Sequence, residues 1–344
     1  MALLILSMAA VAASGAALSP STQIDEHGHA IESQTIVVTA PFVRDRMESL
    51  TPVSVLTQEN LARALRSTIG ETLARQPGVS ATSFGPNASR PILRGFQGER
   101  VRILTDGIGS FDVSNTSVDH AVVINPLLAD RIEVVRGPSS LLYGSSAIGG
   151  VVNVLDARIP RVVPDEAIHS DSLASYGSAA NERSIGSTVD VPVGDKLVLH
   201  ADGSYAKSAD LEIGGHVLSP PLRAQALASG DPDIEALADL KSKLPNSASR
   251  TWTAGAGAAL ITDTGNMGFS ISRYDSLYGV PIRYSLTPGV ENEKVQIDVR
   301  QWRADARAEA QFGGGFFDRV RFRAGYAGYQ HAEIHEDGSV GTRF

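Results

Sequence analysis

The sequence predicts an α+β domain followed by an antiparallel transmembrane β-barrel, incomplete at about seven strands. Three observations carry this reading. Residues 47–157 mix short helix-like and strand-like runs separated by Gly and Asp. From about residue 168 the pattern becomes long period-two alternation, the mark of two-faced strands. The connections between those strands are tight at every second position and include two long ones, which is the layout of an outer-membrane barrel.

The chain of 344 residues has length for two domains. Residues 1–16 read as a secretory signal: Met1 to Ala13 is almost wholly apolar, too short to span a bilayer, and Ser14-Gly15-Ala16 offers small residues for cleavage. No Lys or Arg precedes the apolar run, so the true start is expected upstream. Residues 17–46 are polar and irregular and predict a flexible tail. Within the tail, Thr35-Ile36-Val37-Val38-Thr39-Ala40 is β-prone because branched residues favour extended backbone. An isolated strand of this kind can add to the edge of a partner's sheet.

In the compact block, Thr57 is placed to cap a helix that carries Leu61, Leu65 and Ile69 at helical spacing. A second helical stretch, 69–75, stops at Pro77-Gly78. Strand-like runs follow at Pro91–Leu93, Val101–Leu104, Ile132–Val135 and Val151–Val154. Beyond 168, strands are expected near 168–176, 182–191, 196–206, 250–262, 266–274, 295–312 and 318–331. In the last of these, Arg319, Arg321 and Arg323 oppose Val320, Phe322 and Tyr326. A soluble sandwich would bury the apolar face, whereas a barrel turns it to lipid and keeps the arginines in a wet lumen. In 295–312 the apolar parity shifts from Val295, Ile297 and Val299 to Trp302, Ala304 and Ala306, which predicts a bulge near Arg300-Gln301.

Composition narrows the functions. A net charge of −8 argues against nucleic-acid binding, which needs a basic surface. The chain has no Cys, which removes disulfides and thiol catalysis. No Ser/His/Asp or paired-carboxylate constellation stands in a recognisable frame, so an enzyme is not expected.

Several runs together resemble TonB-dependent outer-membrane receptors over nearly the whole chain. They are Leu93-Arg94-Gly95-Phe96, Leu104-Thr105-Asp106-Gly107, Ile132 to Arg136-Gly137-Pro138, Leu142-Tyr143-Gly144, and Ala147-Ile148-Gly149-Gly150 through Val154. The resemblance makes 47–157 the plug, 168–344 the first part of the barrel, and 35–40 the TonB box. It implies energy-coupled uptake of a scarce nutrient, with TonB and its ExbB–ExbD motor pulling on the box from the periplasm. It also implies outer-membrane lipid around the strands and a small ligand or metal ion as cargo. Arg94 and Arg136 match plug arginines that in the family pair with barrel glutamates. Family barrels have many more strands than are present, so the chain is expected to be a fragment.

Within the family, Asp119-His120, Pro126 and Tyr278-Gly279-Val280-Pro281 resemble the zinc-uptake receptors, in which an Asp-His pair on the plug apex binds metal. This chain departs from them in having no His in 282–294. No resident cofactor is implied; zinc enters as the transported ligand. Continuing the parity of the last strand, His331, Glu333 and His335 face the lumen near the extracellular rim, toward Asp119 and His120. Carboxylate oxygen and imidazole nitrogen both suit Zn²⁺. A receptor for a siderophore, haem or another organic ligand, and a secreted β-rich adhesion protein, are the alternatives.

Overall fold

In the computed structural model the described residues are 53–343, apart from 138–142 and 314–316. The expected signal segment 1–16 and the tail with the box at 35–40 lie outside them.

The N-terminal domain is built on a sheet of mixed direction. Strand β1 (Val53–Thr57) leads into helix α1 (Gln58–Ala64), and α2 (Ile69–Leu73) follows after a break. The break arises because Leu65 takes extended backbone and Thr68 starts a new helix, its hydroxyl accepting from Glu71 N at 3.4 Å. Strands β2 (Val79–Ala81) and β3 (Pro91–Leu93) form a small pair beside β4 (Val101–Thr105) and β5 (Ile108–Gly109). Strands β6 (Ala129–Arg136) and β7 (Gly150–Asp156) complete the main sheet, in the order β5-β4-β7-β6-β1, with β7 parallel to β4. Branched and leucine side chains, among them Leu56, Leu73, Leu93, Val101, Ile132, Val134 and Val152, are buried as one core on one face of the main sheet, and Leu104, Val135 and Val151 form a second cluster on the other. The β4–β5 hairpin turns on Asp106-Gly107, both at positive φ, which is why an Asp-Gly pair stands there.

The rest is a curved antiparallel meander. Its long strands are β8 (His169–Gly177), β9 (Glu182–Val193), β10 (Leu197–Ser208), β13 (Ser249–Thr262), β14 (Gly265–Gly279), β15 (Gln296–Gln311) and β16 (Arg319–Ile334). Each pairs with the next in sequence, and β17 (Val340–Arg343) adds a short pairing to β16. The connection 209–248 carries a β-hairpin, β11 (Leu211–His216) with β12 (Lys241–Leu244), and helices α3 (Pro220–Leu227) and α4 (Pro232–Leu237). Leu218, Ala226, Ile234 and Ala238 give this excursion its own small core, against which Tyr284 and Leu286 of the next long loop pack.

The two faces of the meander differ as the alternation predicts. Leu199, Leu260, Met267, Phe269 and Ile271 are exposed on the convex side. Arg321 and Arg319 pair with Glu309, and Arg323 lines an inner cavity with Asp106 of the N-terminal domain. The expected bulge at Arg300-Gln301 is absent: β15 keeps unbroken register with both β14 and β16. Ile297 and Val299 face inward because the N-terminal domain covers them, so the inner face is apolar there and polar further down. The apparent slip in parity marks where the inner domain touches the wall.

Candidate metal centre at the domain seam

The loop 111–125 forms the apex of the N-terminal domain and is stitched to the wall by neutral hydrogen bonds. Gln301 Nε2 donates to Phe111 O at 2.6 Å, and Ala121 N donates to Tyr278 Oη at 2.8 Å. Asn125 Nδ2 donates to Ser204 Oγ at 2.6 Å. Around these bonds Ala121, Tyr278, Ile297, Val299 and Tyr329 are buried together, and Phe111 meets Tyr329 edge-on with ring centroids 6.3 Å apart. Inside the loop, Asp112 fixes the turn by accepting from Val123 N at 3.2 Å and from Ser114 N at 3.0 Å.

This packing brings His120 against His331. Their Nε2 atoms lie 3.3 Å apart, and His120 Nε2 is 3.7 Å from Glu333 Oε1. One ligand atom from each of the three residues falls within a span of 4.8 Å. Both imidazoles are buried, and Glu333 is half-buried, so the cluster is open on the carboxylate side. Tetrahedral zinc with bonds of about 2.0–2.1 Å places neighbouring ligand atoms about 3.3 Å apart. The separation of the two imidazole nitrogens matches that edge, so the residues present fit such an ion.

Asp119 takes a different place from the one expected of it. Its Oδ1 is 2.9 Å from His120 Nδ1, and it also accepts from Ser117 Oγ. These hydrogen bonds, that from His120 first, hold the Asp119 carboxyl well below the usual carboxylate range. An ionised carboxylate only accepts, so Nδ1 of His120 carries the proton and Nε2 keeps a lone pair for a metal. Asp119 therefore orients the ring instead of standing in the ligand cluster. His335 is also removed from the expected trio. Strand β16 ends at Ile334, and His335 N donates to Ser339 O at 3.0 Å in a turn, which breaks the two-residue alternation.

The second seam lies lower, where the connector after β7 crosses to the wall. Arg158 is bidentate to Asp202 of β10, at 2.9 and 3.1 Å, and also donates to Asp156 Oδ2 at 2.9 Å. Arg161 pairs with Asp106, and Arg307 of β15 donates to the carbonyls of Ile159 and Pro160, each at 3.1 Å. His200 Nδ1 adds a contact to Asp190 at 2.7 Å beside Asp202. Sequence reading missed Arg158 and Asp202, because neither stands in a motif and their partnership spans 44 residues.

The remaining expected positions are structural. Gly107 N donates to Asn153 Oδ1 at 3.0 Å. Gly149 N donates to Arg100 O at 2.8 Å, and Gly137 N donates to Gly149 O at 3.1 Å. Gly150 opens β7 at φ 138, a backbone that a side chain would strain. Gly95 and Gly144 sit at turns. Arg94 and Arg136 make no ion pair with a barrel glutamate among the described residues; Arg136 instead donates to Ser54 Oγ at 2.8 Å, within its own domain.

Comparison with known proteins fits this architecture. Residues 45–151 match the family model described as TonB-dependent Receptor Plug Domain. The fold is that of a receptor plug seated in part of its barrel. The FrpB iron transporter of Neisseria meningitidis aligns at TM-score 0.64 and 14% identity, over 83% of this chain and 42% of its own. The alcaligin outer-membrane receptor FauA of Bordetella pertussis aligns at TM-score 0.58 and 16% identity, over 86% of this chain and 41% of its own. The ferric enterobactin receptor PfeA of Pseudomonas aeruginosa aligns at TM-score 0.56 and 18% identity, over 82% and 41%. The chain thus spans about two-fifths of the length of these receptors.

Proposed function

We propose that this chain is the plug and the first barrel strands of a receptor that imports a divalent metal ion, zinc, across the outer membrane under TonB control. One observation carries the reading: His120 of the plug and His331 of the wall present their Nε2 atoms 3.3 Å apart, with Glu333 alongside. Ligands divided between two bodies suit reversible capture. An ion bridging plug and wall is held while the apex is seated and loses ligands when the apex moves. The box at 35–40 is the handle in this reading, and TonB with the ExbB–ExbD motor supplies the pull.

The test is zinc titration calorimetry on the full-length receptor purified from outer membranes. Wild type should bind one zinc ion at the apex. His120→Ala and His331→Ala should each weaken binding by at least tenfold, the order of a lost metal-site interaction. Unchanged affinity in His120→Ala removes the plug from the site.

A second reading, import of a ferric siderophore, draws on the names of the similar receptors and on one cavity. A space of about 840 Å³ opens beside Asp119, lined by Phe84, Val118, Pro281, Ile282 and Arg283 among others. That volume suits a drug-sized organic ligand. Competition decides between the two: a ferric chelate that displaces zinc from the wild-type receptor, and binds His120→Ala unchanged, favours the siderophore.

A further inference from the structure

The run Tyr278-Gly279-Val280-Pro281 stands out in the sequence, and the ligand cluster contains none of it. It closes β14, and several contacts fix the strand end there. Gly279 N donates to Ala248 O at 3.0 Å, and a side chain at Gly279 would collide with the backbone of Asn246. Val280 N donates to Val295 O at 3.0 Å, while Asn246 Nδ2 donates to the carbonyls of Val280 and Val295 at 2.7 and 2.8 Å. Pro281 presses on Gly85 of the plug, where a side chain would not fit. The end of β14 is thus tied to the bases of both long loops.

Tyr278 itself is 1% exposed, and its ring lies among Ala88, Ala121, Ile297, Val299 and Tyr329. A phenol hydroxyl in such surroundings needs hydrogen-bond partners. Both of its bonds go to the apex loop, to the two peptides that flank His120. The hydroxyl accepts from Ala121 N at 2.8 Å and donates to Asp119 O at 3.4 Å. One wall side chain therefore holds the backbone on either side of the plug's candidate ligand. The wall ligands share its template, because β14, β15 and β16 pair without a break in register. Tyr278, Ile297 and Glu333 form one cross-strand row, and Ser276, Val299 and His331 form the next row on the same face. Neighbouring strands lie about 4.7–4.9 Å apart, so the hydroxyl and the Glu333 carboxylate are carried two strand spacings from each other on one continuous sheet. His120 bridges that interval, with its backbone at Tyr278 and its Nε2 at His331 and Glu333.

We propose that Tyr278 is the positioning residue of the metal site: its hydroxyl sets the peptides on both sides of His120 so that Nε2 meets His331 and Glu333 at the spacing an ion needs. The inference rests on the metal-import reading given above. Loss of the hydroxyl leaves the ring's packing in place but strips an N–H and a carbonyl beside His120 of their partner. A support one step removed from a ligand is worth about 10–100-fold in metal affinity. Such coupling is reciprocal, so zinc tightens the grip on the loop by the same factor that the grip adds to zinc affinity.

The experiment uses the full-length receptor purified from outer membranes. Its readouts are zinc calorimetry, the visible absorption of cobalt(II) in place of zinc, and amide hydrogen exchange. Wild type should bind zinc and give the strong cobalt absorption of a tetrahedral site. Tyr278→Phe should bind zinc about tenfold or more weakly, and its cobalt absorption should fall to that of an octahedral ion. Asn87→Ala removes a different neutral bond between plug and wall, Asn87 Nδ2 to Ser247 O at 2.9 Å, and should leave zinc affinity and the cobalt spectrum unchanged. In the His120→Ala background, adding Tyr278→Phe should change zinc affinity no further. In wild type, zinc should slow exchange of the Ala121 amide by about tenfold or more, and this arm decides the matter even if Tyr278→Phe does not fold. Unchanged zinc affinity or an unchanged cobalt spectrum in Tyr278→Phe, an equal loss in Asn87→Ala, additive losses with His120→Ala, or no effect of zinc on the Ala121 amide overturns the inference. A wild-type receptor that does not bind zinc overturns the import reading and this inference with it. One that loses zinc with His120→Ala and keeps it with Tyr278→Phe overturns this inference alone.

Discussion

The upper and lower seams between plug and wall are built from different chemistry. At the apex most contacts across the seam are uncharged, an amide on a carbonyl, an amide on a phenol and a patch of apolar side chains, beside the two imidazoles and the Glu333 carboxylate 3.7 Å from His120. Lower down, the connector is clamped by arginine–carboxylate pairs, Arg158 with Asp156 and Asp202, and Arg161 with Asp106. A net neutral hydrogen bond is worth about 0.5–1.5 kcal/mol, while breaking one member of a buried ion pair costs about 3–5 kcal/mol. Bond for bond the upper seam is therefore the weaker, and the lower seam ties the connector after β7 to the wall. His120, His331 and Glu333, the residues proposed to hold the metal, sit in the upper seam.

If force enters through the box, the largest effect belongs there. Val37→Pro removes a backbone donor from the strand that would pair with TonB. Uptake by the full-length receptor should fall to the level of a TonB-deficient cell, with zinc binding intact; normal uptake would detach the box from the apex seam. Next comes the clamp. Arg158→Ala leaves Asp156 and Asp202 without their shared cation and should destabilise the receptor by about 3–5 kcal/mol, read from the urea midpoint. A loss below about 1 kcal/mol would erase the contrast between the seams.

A third test concerns the plug sheet. Glu133 is fully buried on β6, with Arg131 Nε 3.3 Å away, and burial pushes its carboxyl up to about 7. The folded plug then binds this proton more tightly than the unfolded chain, whose Glu titrates near 4.3. The contribution is fully present below about pH 4 and is lost as pH rises to about 7, after which it is constant. Glu133→Gln should accordingly stabilise the receptor at pH 8, by about 3–4 kcal/mol, and change little at pH 4. Equal effects at the two pH values would show that the fold does not raise the proton affinity of Glu133. The smallest effect is expected at the apex, where Gln301→Ala removes one neutral bond and should cost about 1 kcal/mol. A cost as large as that of Arg158→Ala would mean that both seams are clamped alike.

Much of this arrangement was legible in the residues. Alternation is a local property of backbone geometry, so the seven long strands fall within a few residues of their expected places, and Arg321 lies inside as its parity requires. His331 and Glu333 were placed by the same count, two residues apart on β16. Turns were legible where backbone chemistry is local, as at Asp106-Gly107.

What escaped was whatever depended on a surface brought in from elsewhere. The parity of β15 looked broken at Arg300-Gln301 because a strand's inner face was assumed polar along its length, and only the seated plug makes Ile297 and Val299 buried inside. Asp119 reads as a ligand in sequence, but the loop places it behind the His120 ring. The sequence by itself determined strand order, facing and the residue types of the apex, because these follow from covalent neighbours and a period of two. Only the tertiary structure decided which atoms meet across the seam, since a 3.3 Å approach between residues 211 positions apart is set by how the inner domain packs against the wall.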